Sequence, residues 1–113
     1  MGKEFLLYQD SVNVYVCKDC KTHLSTKSKL ISKNFKGKLG KCFLVEKMIN
    51  VTEGPREEKI LLTGVHIIRD IFCKGCKVYA GWTYVTAYEA TEKYKEGKFI
   101  LERNQVFKLD WNY

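Results

Sequence analysis

The chain has 113 residues, of which 45% are hydrophobic, and a formal net charge of +7 at neutral pH. This length suits one domain, placed here at residues 1–113, and a single proline without Gly- or Ser-rich tracts argues against linkers. No run approaches the roughly 18 apolar residues of a membrane span, and the start MGKEFLLYQD shows no secretory signal, so a soluble intracellular protein without a membrane partner is expected.

In chain order, the first predicted element is a strand that leads into Cys17. Val12, Val14 and Val16 alternate with Asn13 and Tyr15, which is the period-two pattern of a half-buried strand. Further strands are predicted at residues 42–51, 60–63, 65–72, 78–87 and 99–107, where β-branched and aromatic residues are frequent. The best helix signal, at residues 89–96, is short. The sequence therefore predicts an all-β fold.

Two Cys-x-x-Cys motifs are the most specific chemical signal. Cys17 and Cys20 form the first and Cys73 and Cys76 the second, with 52 intervening residues, and both continue into lysine. Four thiolates on two tight turns can complete the tetrahedral shell of a zinc ion and leave no open position. Two disulfides are the alternative, but they are typical of secreted chains. We therefore predict one structural zinc per chain.

Landmarks in a fixed order accompany the cysteine motifs. They are Gly40, Asn50-Val51, Leu62-Thr63-Gly64, Gly81-Trp82-Thr83-Tyr84 and the run from Tyr94 to Glu102. Over residues 15–103 the chain resembles the Yippee-like proteins. The resemblance implies a β-tent of two antiparallel sheets pinned by the Cys17, Cys20, Cys73 and Cys76 zinc site. It also implies no established enzymatic activity, a place in the nucleus and cytoplasm, and, for some members, association with the CTLH/GID-type E3 ubiquitin ligase.

The whole net charge resides in one lysine segment. Residues 18–47 contain nine lysines and two acids, whereas the rest of the chain has eleven basic and eleven acidic residues. A solvated lysine-rich loop, an interface for an acidic protein and a nucleic-acid interface are the three interpretations. The absence of arginine from the segment argues against specific base recognition, so only weak nucleic-acid binding is expected. The candidate partner-binding lysines are Lys29, Lys33, Lys36 and Lys38.

Trp82 and Tyr84 are the candidate aromatic contacts. In the cereblon relative of the fold, the element that resembles Gly81-Trp82-Thr83-Tyr84 contributes to an aromatic cage for a cyclic imide. The other cage tryptophans have no match here, since the only ring in residues 61–71 is that of His66. Trp82 is therefore interpreted either as packed across the inner face of a sheet or as part of a partial binding cleft.

The remaining cysteine and the two histidines limit an enzyme hypothesis. Methionine sulfoxide reductases of the B type share a related zinc-pinned architecture, but their Arg-Tyr-Cys-x-Asn context is missing around Cys42. Cys42 is predicted to be a small buried residue. His23 is expected on the surface or beside the metal shell, and His66 is expected to be partly buried and hydrogen-bonded.

These observations favour a non-catalytic, zinc-stabilised protein-interaction module. The resemblance implies a subunit or modulator of a larger assembly such as the CTLH/GID-type ubiquitin ligase. A nucleic-acid-binding zinc protein is the alternative, and a methionine sulfoxide reductase-like enzyme is a distant one.

Overall fold

β-Strands dominate the computed structural model, which describes residues 13–110. The nine strands are β1 (Asn13–Cys17), β2 (His23–Thr26), β3 (Leu30–Gly37), β4 (Gly40–Val45), β5 (Val51–Leu61), β6 (Gly64–Cys73), β7 (Tyr79–Ala87), β8 (Phe99–Glu102) and β9 (Val106–Asp110). Three short 3-10 helices lie at Lys27–Lys29, Ala90–Lys95 and Arg103–Gln105. In the part of the chain that is described, no helix is long and apolar enough to cross a membrane.

The strands form two antiparallel sheets. The small sheet has the order β2-β1-β9, and the large sheet has the order β3-β4-β8-β7-β6-β5. The predicted all-β architecture of two antiparallel sheets is therefore confirmed. The residues examined for a secretory signal, and Val12, lie outside the described range.

Several element boundaries differ from the sequence predictions. The strand predicted at 42–51 ends at Val45, and a new one starts at Val51 directly after Asn50, which adopts a left-handed backbone with φ of 57°. A 3-10 helix interrupts the strand predicted at 99–107, and the helix predicted at 89–96 is also of the 3-10 type. Strands β2 and β3 and most of β5 were not predicted, because their apolar content is low and sheet pairing stabilises them instead.

The large sheet has two apolar faces. On β4, Phe43 and Val45 face the small sheet and pack with Tyr15 and Leu24, whereas Cys42 and Leu44 belong to a second cluster. Successive residues of a strand point to opposite faces, so the second cluster lies on the face away from the small sheet. We call this the outer face. It also carries Ile68, Trp82, Tyr84 and Ile100.

A bulge in β7 determines where Trp82 lies. The register shifts between the pairs Ile71–Gly81 and Phe72–Tyr79, which leaves Ala80 as the extra residue. Ala80 then packs in the cluster between the sheets, and Trp82, directly opposite Ile100, packs on the outer face. The interpretation of Trp82 as packed across the inner face was therefore wrong, because the bulge reverses the alternation.

Candidate functional site

Both cysteine motifs form the same tight turn at the end of a strand. Cys17 ends β1 and Cys73 ends β6. The Lys21 N–H donates to the Cys17 carbonyl at 2.8 Å, and the Lys77 N–H donates to the Cys73 carbonyl at 2.7 Å. Both lysines have a left-handed backbone, with φ of 65° and 69°. The repeated Cys-x-x-Cys-Lys sequence thus forms two knuckles of the same shape. Each knuckle directs two sulfurs toward a common point.

The four sulfurs converge to a size that fits a metal ion. The Sγ atoms of Cys17 and Cys76 are 3.6 Å apart, those of Cys20 and Cys73 are 3.5 Å apart, and all four lie within 4.8 Å of one another. A tetrahedron with Zn–S bonds of 2.3 Å has edges of about 3.8 Å, whereas a disulfide needs about 2.05 Å. All four cysteines are free thiols. The cluster is thus positioned to bind one zinc ion.

The surroundings of the cluster favour the thiolate at one of its four cysteines, Cys20. The Thr22 hydroxyl lies 3.0 Å from the Cys20 sulfur. Burial raises the pKa of Cys20, but hydrogen bonds from the Thr22 hydroxyl and N–H outweigh it and lower the pKa to about 7. Burial raises the pKa of the other three thiols, so metal binding must displace their protons. The Lys21 and Lys77 ammonium groups bond to carbonyls of their own knuckles, which keeps positive charge beside the cluster.

Asn50 links the two knuckles through the chain between them. Its carbonyl accepts the Lys74 N–H at 2.7 Å, and its side-chain amide donates to the His23 carbonyl at 2.8 Å. His23 is buried in β2, so it is not a surface residue. It is also not part of the sulfur cluster. Asn50 was not predicted from the sequence to connect the segments that carry the two cysteine motifs. Its place in the Asn50-Val51 landmark was the only sequence signal for it.

The structure divides the predicted partner-binding residues among different surfaces. Lys36, Lys38, Trp82 and Tyr84 line a cleft of about 870 Å³ on the outer face, which we call the aromatic cleft. Lys33 lines a second cleft, and Lys29 lines neither. The lysine segment is not a loop, because its central residues form the β3–β4 hairpin. The lysines of this part are exposed to solvent as that interpretation expected, but the prediction of a loop was wrong because they lie on or beside paired strands.

Lys95 fills part of the aromatic cleft with its own ammonium group. Its Nζ lies 5.3 Å from the ring centroids of Phe35 and Tyr84 and 6.0 Å from that of Tyr94. The same atom is 2.6 Å from a Glu92 carboxylate oxygen, and the residue is 97% buried. The cleft is thus a ring of aromatic side chains around a paired internal cation. Sequence reasoning did not find Tyr94 or Lys95 as cleft residues.

Cys42 and His66, the candidates for an enzymatic role, are both fully buried. The Cys42 thiol donates to Glu102 Oε1 at 3.2 Å, and burial together with that carboxylate raises its pKa far above the ordinary value. His66 Nδ1 lies 2.9 Å from the Gly64 carbonyl, and its ring packs against Tyr84. Cys42 is buried as predicted, although it is hydrogen-bonded, and His66 is more deeply buried than expected.

Known proteins resemble this chain in sequence and in architecture. The family model Yippee-Mis18, described as Yippee zinc-binding/DNA-binding and Mis18, centromere assembly, matches residues 13–111. Protein yippee-like 3 of Homo sapiens is 45% identical over 107 residues, covering 94% of this chain and 90% of that protein. A yippee-like protein of Arabidopsis thaliana is 45% identical over 106 residues, with coverages of 94% and 87%. The crystal structure of the Mis18 "Yippee-like" domain has the same fold, with a TM-score of 0.70, 13% identity and coverages of 89% and 98%.

Proposed function

The chain belongs to the Yippee/Mis18 family, and on this premise we propose that it is a non-catalytic, zinc-stabilised protein-interaction module. The observation that carries the proposal is the aromatic cleft on the outer face. Its rim includes an apolar residue, since Leu62 lines the cleft and is fully exposed at the β5–β6 turn. Exposed aliphatic residues beside an aromatic concavity are typical of a protein contact.

The absence of a catalytic role is part of the proposal. A zinc shell of four cysteines has no open position for water or substrate. Among residues 13–110, Cys42 is the one cysteine outside the knuckles, and its burial and raised pKa disfavour the thiolate that a reductase nucleophile needs. These observations support a binding module over a methionine sulfoxide reductase-like enzyme.

We further propose that the module works in the nucleus and cytoplasm as a subunit or modulator of a multi-protein assembly. The CTLH/GID-type E3 ubiquitin ligase is the specific candidate. Support comes from the family resemblance of the sequence. A zinc ion bound by the four cysteines would add to it, because a preorganised surface loses less entropy on binding.

The test is capture of stoichiometric partners from cells with variants of the cleft rim. Leu62→Asp should leave the melting temperature unchanged, because this side chain is fully exposed, and should reduce capture at least tenfold by placing a charge in an apolar contact. Ile31→Asp is the matched control, since Ile31 is exposed on β3 and does not line the cleft. Equal capture by Leu62→Asp and the wild-type chain would refute the proposed contact. Absence of ligase subunits among the captured partners would refute the specific assembly.

Trp82 serves as the reporter of fold integrity in the same experiment. It is only 7% exposed. Trp82→Ala should therefore lower the free energy of unfolding by about 3–5 kcal/mol. A loss of capture by this variant must be read together with its lower stability. Lys36→Glu, at an exposed position of the cleft, tests a lysine of the cleft without this complication. Lys38→Glu is less suitable, because Lys38 pairs with Asp70 at 3.3 Å.

Nucleic-acid binding is the second candidate function. It is favoured by the basic β3–β4 hairpin and by the term DNA-binding in the description of the family model. We expect weak binding without sequence preference, with affinity falling with salt at a log–log slope near −0.9 per neutralised phosphate. A sub-micromolar, sequence-selective site at physiological salt would raise this function above the first.

A further inference from the structure

A second cleft, of about 790 Å³, lies between β9 of the small sheet and β3 of the large sheet. Tyr15 and Phe43 line it as buried aromatic residues, with ring centroids 5.3 Å apart. Four exposed cations also line it, and no acidic residue does; these cations are Lys33, Lys41, Arg103 and Lys108. We call it the basic cleft.

The positive charge of the basic cleft is not compensated within the described chain. The ion pairs found among residues 13–110 involve other cations, such as Lys38 with Asp70 and Arg69 with Glu53. None of the four cleft cations lies in such a pair. Like charges that converge on a concave surface raise the local positive potential. The cleft is therefore complementary to an anionic ligand.

Strand β9 offers the cleft an open backbone edge. It is the terminal strand of the small sheet and pairs with β1 in one uninterrupted register, from Asn13–Asp110 to Cys17–Val106. Three consecutive β9 residues, Val106, Phe107 and Lys108, line the cleft. Successive side chains of a strand point to opposite faces, so a cleft on one face would be lined by every second residue. Lining by three consecutive residues is expected where a cleft runs along the edge of the strand. One row of β9 backbone groups thus faces the cleft side without a strand partner in the described sheet.

The opposite wall of the cleft is less suited to strand pairing. Strand β3 is also terminal, but its register with β4 shifts twice, between Leu30 and Ser32 and between Ser32 and Phe35. The Asn34 N–H donates to the Ser32 hydroxyl at 3.1 Å, which occupies a backbone donor of this wall. Irregular edges of this kind resist further pairing. The regular edge of β9 is therefore the one available to an added strand.

From this combination we propose that the basic cleft binds an extended acidic segment of a partner protein, which adds to β9 as an antiparallel or parallel strand. Main-chain hydrogen bonds to β9 would supply affinity. Acidic side chains of the segment would pair with Lys33, Lys41, Arg103 and Lys108, which supplies selectivity for acidic sequences. The proposal rests on the proposed function as a protein-interaction module and adds a second contact, separate from the aromatic cleft.

The aromatic residues of the cleft favour a peptide over a nucleic acid. Tyr15 and Phe43 are only 5% and 8% exposed, so their rings cannot serve as platforms for base stacking. The ring of Phe107 is exposed, but the Lys21 ammonium lies 4.7 Å from its centroid. A nucleic acid also cannot use the backbone groups of β9 as a strand does.

The test uses the zinc-loaded full chain and a fluorescein-labelled decapeptide of alternating Glu and Thr, with binding followed by anisotropy at physiological salt. Two further peptides carry N-methyl groups on all Glu or on all Thr residues. An added strand directs alternate N–H groups to its partner, so at least one methylated peptide should bind tenfold or more weakly. Equal binding of all three peptides, or no binding of the parent peptide, would overturn the proposal.

Variants of the chain locate the binding. Lys41→Glu with Lys108→Glu should weaken parent-peptide binding at least tenfold, because acidic groups would meet like charges. Lys27→Glu with Lys47→Glu makes the same charge change at exposed sites outside the cleft and should weaken it less than threefold. Equal weakening by both pairs, or tighter binding of a labelled oligo-dT than of the peptide, would refute the proposal. Leu62→Asp separates it from the proposed function, since this variant should lose partner capture and keep peptide binding.

Discussion

Cys42 and Glu102 form a buried thiol–carboxylate pair, with Sγ 3.2 Å from Oε1 and both side chains fully inaccessible. They are directly opposite each other on β4 and β8. Glu102 also accepts the Tyr79 hydroxyl at 2.8 Å and the backbone N–H of Lys38 at 2.9 Å. A buried carboxylate is tolerated only when donors surround it. This hub therefore ties the β3–β4 turn to β7 and β8.

Cys42 should be chemically inert in the native chain. Burial and the adjacent carboxylate raise the pKa of its thiol, which keeps it protonated and inaccessible to alkylation. Iodoacetamide should leave Cys42 unmodified in the zinc-loaded protein and label it after unfolding in guanidinium. Peptide mass spectrometry distinguishes the two states. Rapid labelling of native Cys42 would contradict its position in the structure.

Replacing Glu102 by Gln should destabilise the fold. The amide replaces one carboxylate oxygen by an NH2 group, whose hydrogens would face the donors that now bond to Glu102. The loss of the negative charge also weakens the remaining hydrogen bonds to this side chain. We expect the free energy of unfolding to fall by about 3 kcal/mol, measured by denaturant titration. Glu46→Gln, at an exposed position, should change it by less than about 0.5 kcal/mol. Equal stability of the two variants would show that the hub is dispensable.

One zinc per chain should be found by elemental analysis. Cys73→Ser should lose the metal and much of the fold, because binding energies of about 10–16 kcal/mol in four-ligand zinc sites exceed the stability of a typical domain. The free thiol of Cys42 provides the matched control, since Cys42→Ser should keep a full equivalent of zinc. Intact folding of Cys73→Ser after chelation would contradict a structural role for the metal.

Gly75→Ala should weaken zinc binding specifically. A Cβ at Gly75 would collide with the Thr22 hydroxyl and lie 3.0 Å from the Cys20 sulfur. We expect at least a tenfold loss of zinc affinity in competition with a chromogenic chelator. Gly54→Ala is the control, because its Cβ would meet only ordinary contacts at 3.5 Å. If both variants retain wild-type affinity, Gly75 is not needed for the approach of the knuckles.

Stability should fall between pH 10 and pH 12 in part through Tyr84. Burial raises the pKa of Tyr84 to about 12, above the value of about 10 in an unfolded chain. The folded state then holds a proton that the unfolded state releases. The stabilisation is fully present below pH 10 and is lost as pH rises through 12, by about 2–3 kcal/mol.

The Tyr84→Phe variant isolates this effect. It has no ionisable hydroxyl, so its free energy of unfolding should decline less steeply over the same pH range. Tyr88→Phe removes an exposed hydroxyl from the same region and should keep the wild-type slope. Identical slopes for wild type and Tyr84→Phe would assign the alkaline instability to other groups.

The metal ligands could be predicted from the sequence because each knuckle is a local structure. Two cysteines, a tight turn and a lysine are contiguous, so their spacing reports their geometry. Strand β3 could not be predicted in this way. Its sequence LISKNFKG has low apolar periodicity, and it becomes a strand through pairing with β4. Strand β5 contains Gly54 and Pro55, which are unfavourable in central strands but tolerated at the edge position that it occupies.

The clefts were harder to predict than the zinc ligands because distant residues build them. Trp82 and Tyr84 were named together from the sequence, and both line the aromatic cleft. Phe35 joins them through the strand order of the large sheet, whereas Tyr94 and Lys95 come from the 3-10 helix that follows β7. The face on which Trp82 lies depends on the extra residue Ala80, and a simple period of two cannot show a bulge. The assignment of Lys33 and Lys36 to different clefts likewise follows from the structure alone.

The pairing of β1 with β9 has a consequence for biosynthesis. These are the first and last strands of the described chain, so the small sheet cannot be completed until β9 has left the ribosome. All four zinc ligands emerge earlier, because Cys76 precedes β9. We therefore expect zinc to hold β1 beside the nascent large sheet and to template the docking of β9. Zinc scarcity during translation would then leave the β1–β2 pair unattached to the large sheet and one edge of β1 unpaired, exposed to chaperones and proteases.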